Sequence, residues 1–139
     1  MRNKTAFSDN VLSLRKGSLA FDATLASAIY DHYLDIVVPP ETRDSIVQVE
    51  THVVQDVFKS RYPLTNGITH DGVLRTKFVT RYGVFLAPLT DTDGSRLNRY
   101  HLRVGDRVDV CIQPTSAWYN ENACGVAWVV LSLKRKNIC

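Results

Sequence analysis

The chain has 139 residues, 45% of them hydrophobic, which suits one domain over residues 1–139 and leaves no room for a second. The first ten residues are polar, which argues against a secretion signal, and no apolar run approaches the roughly 18 residues of a membrane span. The three cysteines are too scattered for a disulfide framework. We therefore expect a soluble intracellular protein, cytoplasmic or nuclear. Residues 1–58 carry five basic and eight acidic side chains (−3) and residues 59–139 twelve and six (+6), so only the second half should attract a polyanion.

The first half is predicted to be helical, over about residues 18–62. Residues 11–14 suit either a short helix or one arm of a hairpin. From Asp22, whose carboxylate can cap a helix, apolar side chains recur at helical spacings; they are Leu25, Ile29, Tyr33 and Ile36. Proline cannot donate to the helical ladder, so this helix should end at Pro39 and Pro40.

Residues 42–61 fit two kinds of element. Helical spacing relates Ile46, Val49, Val53 and Val57, but the stretch is rich in β-branched residues and some of its valines also alternate. We favour a helix because the apolar positions extend beyond the roughly five or six residues of a typical strand.

Beyond the turn signal Asn66-Gly67 the pattern changes to strands, over about residues 67–136. We predict a long strand or a bent pair over residues 73–88, with a bulge or bend at Gly83. The following elements are turns at 91–94 and 104–106, a strand over 107–113, a loop over 114–124 and a strand over 126–133. This order indicates an α+β fold, with N-terminal helices packed on a C-terminal antiparallel β-sheet or a small OB-like barrel.

Alternation along the strand around Arg75 separates cations from apolar side chains. One face carries Arg75, Lys77 and Arg81, and the other carries Leu74, Phe78, Tyr82 and Val84. Cations two residues apart on a strand lie about 7 Å apart, near the phosphate spacing of an extended nucleic-acid strand. The predicted patch can be extended by Arg96, Arg99, Arg103 and Arg107. The alternative is a solvated face that only protects a sheet edge.

The segment Leu102-Arg-Val-Gly-Asp-Arg-Val-Asp-Val110 resembles the turn and strand of OB-fold barrels, such as those of cold-shock and related RNA-binding domains. Its glycine permits a tight turn, the Asp106 carboxylate can accept hydrogen bonds from backbone N–H groups, and its alternating valines can fill the interior of a barrel. The resemblance covers residues 102–133 and implies a barrel. The aromatic motif with which cold-shock domains bind bases is absent, so no base-binding role is carried over.

Trp118 and Tyr119 lie among polar residues in the predicted loop over 114–124. Such a pair can stack on bases or anchor a protein interface. Equally, one or both rings can fold back to cover an open end of the sheet. Trp128, inside an apolar strand, is predicted to be a core residue.

No motif for catalysis, a metal or a cofactor is found. The four histidines and three cysteines lack zinc-ligand spacing. Asp91-Thr-Asp-Gly94 is similar to the signature of haloacid-dehalogenase-like enzymes, but that chemistry needs a parallel doubly wound sheet, so we predict a hairpin loop. We therefore expect no enzyme and no cofactor.

The leading hypothesis is a non-catalytic protein that binds single-stranded DNA or RNA through its basic β face. Arg75, Lys77, Arg81, Arg103 and Arg107 are the predicted phosphate contacts, and Tyr82, Trp118 and Tyr119 the predicted stacking residues. The alternative is a structural or assembly protein, a homo-oligomer or a subunit bound to a protein partner, in which acidic helical and basic sheet surfaces meet.

Overall fold

The computed structural model describes residues 11–13, 17–59 and 61–136. One helix, one short 3₁₀ turn and nine strands occur in this part of the chain. In order they are β1 (Val11–Ser13), β2 (Leu19–Leu25), β3 (Tyr33–Val37), α1 (Pro40–Asp56), β4 (Val73–Lys77), β5 (Thr80–Arg81), β6 (Val84–Phe85), β7 (Leu89–Thr90), the 3₁₀ turn (Arg99–His101), β8 (Arg107–Tyr119) and β9 (Cys124–Arg135). The α+β class is confirmed, although the described residues contain one helix rather than several.

Five strands close into a barrel in the order β2, β3, β4, β9, β8. Closure depends on β8, which pairs antiparallel with β2 on one side and with β9 on the other. The predicted antiparallel arrangement holds for most pairs, but β4 and β7 run parallel to β9. A small barrel of five strands is the architecture that the OB-like resemblance implies.

Helix α1 confirms the choice of helix for residues 42–61, with different ends. Pro39 stands at the N-cap with φ −65° and ψ 151°, and Pro40 occupies the first turn, where its missing N–H costs no hydrogen bond. The helix buries Ile46, Glu50 and Val53, spaced four and three residues apart, and packs on β9. None of the helices described is long and apolar enough to cross a bilayer.

The prediction of a helix from Asp22 to Pro39 is wrong, because this stretch forms β2 and β3 and the turn between them. Both strands show the period of two that the helical interpretation overlooked. Ala23 and Leu25 are buried from β2, and Leu34 and Ile36 from β3. The spacings of four, four and three residues between Leu25, Ile29, Tyr33 and Ile36 span two strands and a turn, so they do not describe one helix face.

Residues 11–14, left open between helix and hairpin arm, begin with β1, which pairs with β8. Residues 73–88, predicted as a long strand or a bent pair, are divided: β4 ends at Lys77, and a separate two-stranded hairpin of β5 and β6 follows. The loop predicted over 114–124 is largely strand, because β8 continues to Tyr119. Pro114 is accommodated there at an irregularity in the β8–β9 register.

The barrel core contains a buried carboxylate. Trp128 is 2% exposed, as predicted for a core residue, and its indole N–H donates to Oε2 of Glu50 at 3.1 Å. The backbone N–H of Gly67 donates to the same oxygen at 3.0 Å. Burial raises the pKa of Glu50, and the hydrogen bonds from Trp128 and Gly67 oppose that rise. This contact joins α1 to β9 and to the segment before β4.

Candidate nucleic-acid interface

Aromatic and cationic side chains cluster on the outer face of β3 and β4. In the register of the two strands Tyr33 lies opposite Lys77, and Asp35 lies opposite Arg75. The residues between them on both strands are buried, so alternation turns these four side chains to the outside of the barrel. Tyr30 precedes β3 and joins them through its contact with Arg75. We call Tyr30, Tyr33, Arg75 and Lys77 the platform.

Arg75 is held beside two tyrosine rings. Its guanidinium carbon lies 5.8 Å from the ring centroid of Tyr30 and 5.8 Å from that of Tyr33. Asp35 accepts from Nε of Arg75 at 3.3 Å and from the Tyr30 hydroxyl at 3.1 Å. Desolvation and the hydrogen bond to Asp35 raise the pKa of Tyr30. One carboxylate therefore orients both the cation and a ring before any ligand arrives.

Lys77 is the platform cation whose charge is not paired. Within the described part of the chain no carboxylate oxygen lies within 4 Å of its Nζ atom, whereas Arg75 lies 3.3 Å from Asp35. Lys77 is half-buried and stands next to Tyr33 across the strand pair. An ammonium group in this position can contact a phosphate while a base stacks on the neighbouring ring.

Arg81 and Tyr82 lie on the β5–β6 hairpin, beyond the end of β4. The two turn residues, Tyr82 and Gly83, have φ angles of 54° and 77°, and two such residues suit a tight hairpin. The left-handed region is unfavourable for tyrosine, and the side chain is 96% exposed. The predicted apolar face is therefore not one surface, because Leu74 and Phe78 are buried whereas Tyr82 and Val84 are exposed.

Arg99 connects the platform to the hairpin. Its guanidinium carbon lies 5.3 Å from the ring centroid of Phe85 on β6 and 5.8 Å from that of Tyr100. The guanidinium also donates to the carbonyl oxygen of Asp31, in the turn between Tyr30 and β3. The ring of His32, in the same turn, lies 4.1 Å from that of Tyr33. Aromatic and cationic groups thus continue from β3 to the hairpin.

Arg103 and Arg107 lie apart from the platform. Thr24 of β2 pairs with Arg107 on one side and with Val37 of β3 on the other, so on this side of the barrel β2 and β3 separate Arg107 from β4, a path of roughly 14 Å at a strand spacing of about 4.8 Å. On the other side only β9 lies between them, but Lys77 is opposite Val129 whereas Val108, next to Arg107, is opposite Arg135 at the far end of β9. Arg103 precedes the predicted turn at Gly105, where its backbone N–H donates to Asp106 at 3.0 Å. Among the described residues, no hydrogen bond, ion pair or ring contact joins either arginine to the platform.

Trp118 and Tyr119 stand on β8, not in a loop, and both are half-buried. The ring of Tyr119 lies 5.4 Å from that of Phe58 and 5.1 Å from that of Tyr62. Trp118 lies opposite Gly125 in the β8–β9 pair, and its indole covers that glycine. Both rings therefore pack against other residues of the barrel.

The position of Trp118 predicts a packing defect for Gly125→Ala. A Cβ atom at position 125 would lie 2.5 Å from the indole ring, so the ring or the strand pair must shift. We expect a loss of about 1–3 kcal/mol in the free energy of unfolding, as for an overpacked core. We also expect stronger acrylamide quenching of tryptophan fluorescence, because Trp128 is 2% exposed and contributes little to it. Gly17→Ala is the control, since no atom of the described residues lies within 4 Å of its Cβ position. Unchanged stability and quenching would contradict the packing.

Three of the residues at this interface were not identified from the sequence as site residues. Tyr30 and Tyr33 were hidden by the helical interpretation of residues 22–39, although alternation of Tyr33, Asp35 and Val37 with buried residues could have revealed the outward face. Tyr100 comes to the hairpin only through tertiary contacts, and no local pattern signals it. In the described ranges, no group of three or more histidine, cysteine, aspartate or glutamate residues is placed to hold a metal ion.

Comparison with known proteins shows a structural likeness without a sequence match. No family model matches the chain, and no curated protein matches it in sequence. The single-stranded DNA-binding protein of bacteriophage Enc34, as a C-terminal truncation, is similar in structure with a TM-score of 0.57 at 12% identity, over 95% of this chain and 98% of that one. The same phage protein in complex with single-stranded DNA gives 0.58 at 12% identity, over 93% and 96%. The single-stranded DNA-binding protein gp2.5 of bacteriophage T7 gives 0.57 at 12% identity, over 89% and 93%. At this identity the likeness shows a shared fold.

Proposed function

We propose that this protein binds single-stranded DNA without catalysis, across the platform on β3 and β4. The observation that carries the proposal is the placement of Tyr30 and Tyr33 next to Arg75 and Lys77 on the outer face of the barrel. In OB-fold barrels the face of the second and third barrel strands binds oligonucleotides, and β3 and β4 are the second and third strands of this barrel. The proteins of similar fold are described as single-stranded DNA-binding proteins.

The platform supplies the two interactions that bind a single strand without reading its sequence. Tyrosine rings offer flat surfaces on which any base can stack, and the cations beside them neutralise phosphates. Arg75 and Lys77 are two residues apart on one strand, so their spacing of about 7 Å suits successive phosphates of an extended strand. The strand would run along the sheet with its bases toward Tyr30 and Tyr33.

The platform retains part of the set predicted from the sequence. Arg75 and Lys77 are its cations, and Arg81 and Tyr82 extend it at the hairpin, where Tyr82 is free of core packing. Arg103 and Arg107 would meet DNA only farther along a longer strand. For Trp118 and Tyr119 the proposal includes no base contact, because their rings pack against Gly125 and against Phe58 and Tyr62.

The salt dependence of binding tests this proposal, with Lys77→Gln as the informative variant. Neutralising one phosphate contact on a single strand should lower the slope of log K against log salt concentration by about 0.7. We therefore expect Lys77→Gln to bind more weakly than the wild type at low salt and to show this smaller slope. Fluorescence anisotropy with a labelled oligodeoxynucleotide measures both quantities.

Two comparisons make the measurement specific. Lys77→Arg keeps the charge at the platform and should keep the salt slope. Asp44→Asn, at an exposed position of α1, changes the net charge by one unit away from the platform and should also leave the slope unchanged. An oligoribonucleotide of the same sequence tests the choice of DNA, and tighter binding of RNA would overturn that choice. Absence of binding to any single strand at low salt would overturn the function.

The alternative function, self-association or binding to a protein partner, stays a prediction. It assumes that the acidic helical half of one copy meets the basic sheet of another copy or of a partner. In the structure the acidic half contributes β2 and β3 to the same barrel as β8 and β9, so the two halves are not separate surfaces.

A further inference from the structure

A cavity of about 450 Å³ lies between the β5–β6 hairpin and the segment before the 3₁₀ turn. Its volume falls within the range of about 300–1,000 Å³ found for small-molecule sites. The lining side chains that matter for its chemistry are Val84, Phe85, Arg96, Leu97, Arg99 and Tyr100. The cavity thus joins an apolar lining to two cations.

The walls of the cavity are held in place by ring stacking and by hydrogen bonds. The ring of Phe85 stacks on buried Phe78, with centroids 4.4 Å apart and planes 5° from parallel. On the other wall, the Asn98 side chain accepts from the backbone N–H of Tyr100 at 2.9 Å, and the His101 ring accepts from the backbone N–H of Asn98 at 3.1 Å. A ligand would therefore meet a preformed site.

The aromatic and charged groups at the mouth are accessible. Tyr100 is 81% exposed. Arg99 lies between the rings of Phe85 and Tyr100 and donates to the Asp31 carbonyl. Arg96 is exposed, and among the residues with described positions no carboxylate oxygen lies within 4 Å of its guanidinium. A polyanion with flat apolar groups matches this surface in charge and in shape.

We infer that this cavity is a second nucleotide subsite, which receives a base against Tyr100 and Phe85 and the adjoining phosphate against Arg96. The inference rests on the proposed function and extends it. A strand that leaves the platform reaches the cavity by way of Arg99, whose partner Asp31 directly follows Tyr30 in the chain. An uncharged apolar partner would offer no negative charge to Arg96 and Arg99, so the positive charge of the cavity favours nucleic acid over an apolar peptide.

Oligodeoxynucleotides of graded length test the subsite, because OB folds cover about 4 to 16 nucleotides. We expect Tyr100→Ala to bind a strand of about 4 nucleotides as the wild type does and to lose affinity for one of about 16 nucleotides by about 5- to 150-fold. Tyr100→Phe keeps the ring and should bind both as the wild type does. Arg96→Gln should lower the salt slope for the long strand alone. Tyr100 and Arg96 are exposed, so neither change should disturb folding.

A direct readout distinguishes failure of the subsite from failure of the proposed function. In a photo-cross-linking experiment, a long DNA strand that carries 5-iododeoxyuridine should become attached to Tyr100 or Phe85 as well as to Tyr30 or Tyr33. If Tyr33→Ala weakens binding while Tyr100→Ala does not, and no cross-link forms at Tyr100 or Phe85, the subsite is wrong and the platform stands. If no strand binds the wild type, both are wrong.

Discussion

Replacing Tyr33 by alanine is expected to weaken the binding of a single-stranded oligodeoxynucleotide by about 5- to 150-fold. Stacking of a base on an aromatic ring contributes about 1–3 kcal/mol, and Tyr33 is the central ring of the platform. Its neighbours are Lys77 across the strand pair, Arg75 at 5.8 Å and His32 at 4.1 Å between ring centroids. The loss should persist at high salt, since stacking releases no counterions. Anisotropy titrations at two salt concentrations measure it.

Tyr33→Phe is the matched control, because it keeps the ring and removes the hydroxyl. We expect it to bind as the wild type does. Thermal unfolding of both variants shows whether the barrel is intact, which we expect because Tyr33 faces outward. If Tyr33→Ala binds as tightly as the wild type while remaining folded, the platform does not contact the strand. Arg75→Ala and Tyr33→Ala should combine non-additively, since the two side chains touch.

The second large effect concerns stability and arises at Glu50. In Glu50→Leu the backbone N–H of Gly67 and the indole N–H of Trp128 lose their shared acceptor in the core. A buried donor left unpaired costs about 1–3 kcal/mol, and Trp128 is buried whereas Gly67 is half-buried, so we expect the free energy of unfolding to fall by at least about 1–3 kcal/mol. Urea denaturation followed by circular dichroism measures this fall. It is best measured near pH 4, where the cost of burying a charge does not enter. An equally stable Glu50→Leu variant would show that the two donors do not need the acceptor.

Glu50→Gln separates the hydrogen bonds from the charge. Because burial raises the pKa of Glu50, the folded protein holds the carboxyl proton more tightly than the unfolded chain. Stability should therefore decline as pH rises from the ordinary carboxyl pKa of 4.5 to the higher folded value, and stay lower above it. Glutamine cannot ionise, so the free energy of unfolding of Glu50→Gln, relative to that of the wild type, should increase over this pH interval. Parallel curves for the two proteins would contradict the raised pKa.

Local patterns in the sequence predicted helix α1, although its period also fitted a strand, and the turn at Gly105. Helix α1 follows from a stripe too long for a strand, and the turn at Gly105, with φ of 93°, follows from the Gly-Asp pair that precedes alternating valines. Residues 22–39 failed because two short strands and a turn placed apolar residues at helical spacings by coincidence. A period of two measured over five or seven residues is weak evidence, and only pairing with β4 and β8 settles it.

The candidate site was predictable where it depends on one strand. Alternation alone placed Arg75 and Lys77 on one face of β4, and both lie there. Tyr33 lies opposite Lys77 only because β3 and β4 pair in one register, which the helical interpretation excluded. Tyr100 reaches the hairpin through Arg99, a contact between parts of the chain that no local pattern relates.

The position of β8 in the barrel also has a consequence for folding. Leu19 pairs with Ile112, so the edge of β2 finds its partner only after most of the chain is present. Barrel closure therefore joins residues that are far apart in the chain. The chain loses loop-closure entropy before the contacts of β8 compensate for it, and folds of this kind form slowly. Until β8 arrives, β2 exposes an open edge to other chains. The strand that begins at Arg107 therefore closes the barrel and also determines when the open edge of β2 is no longer available for aggregation.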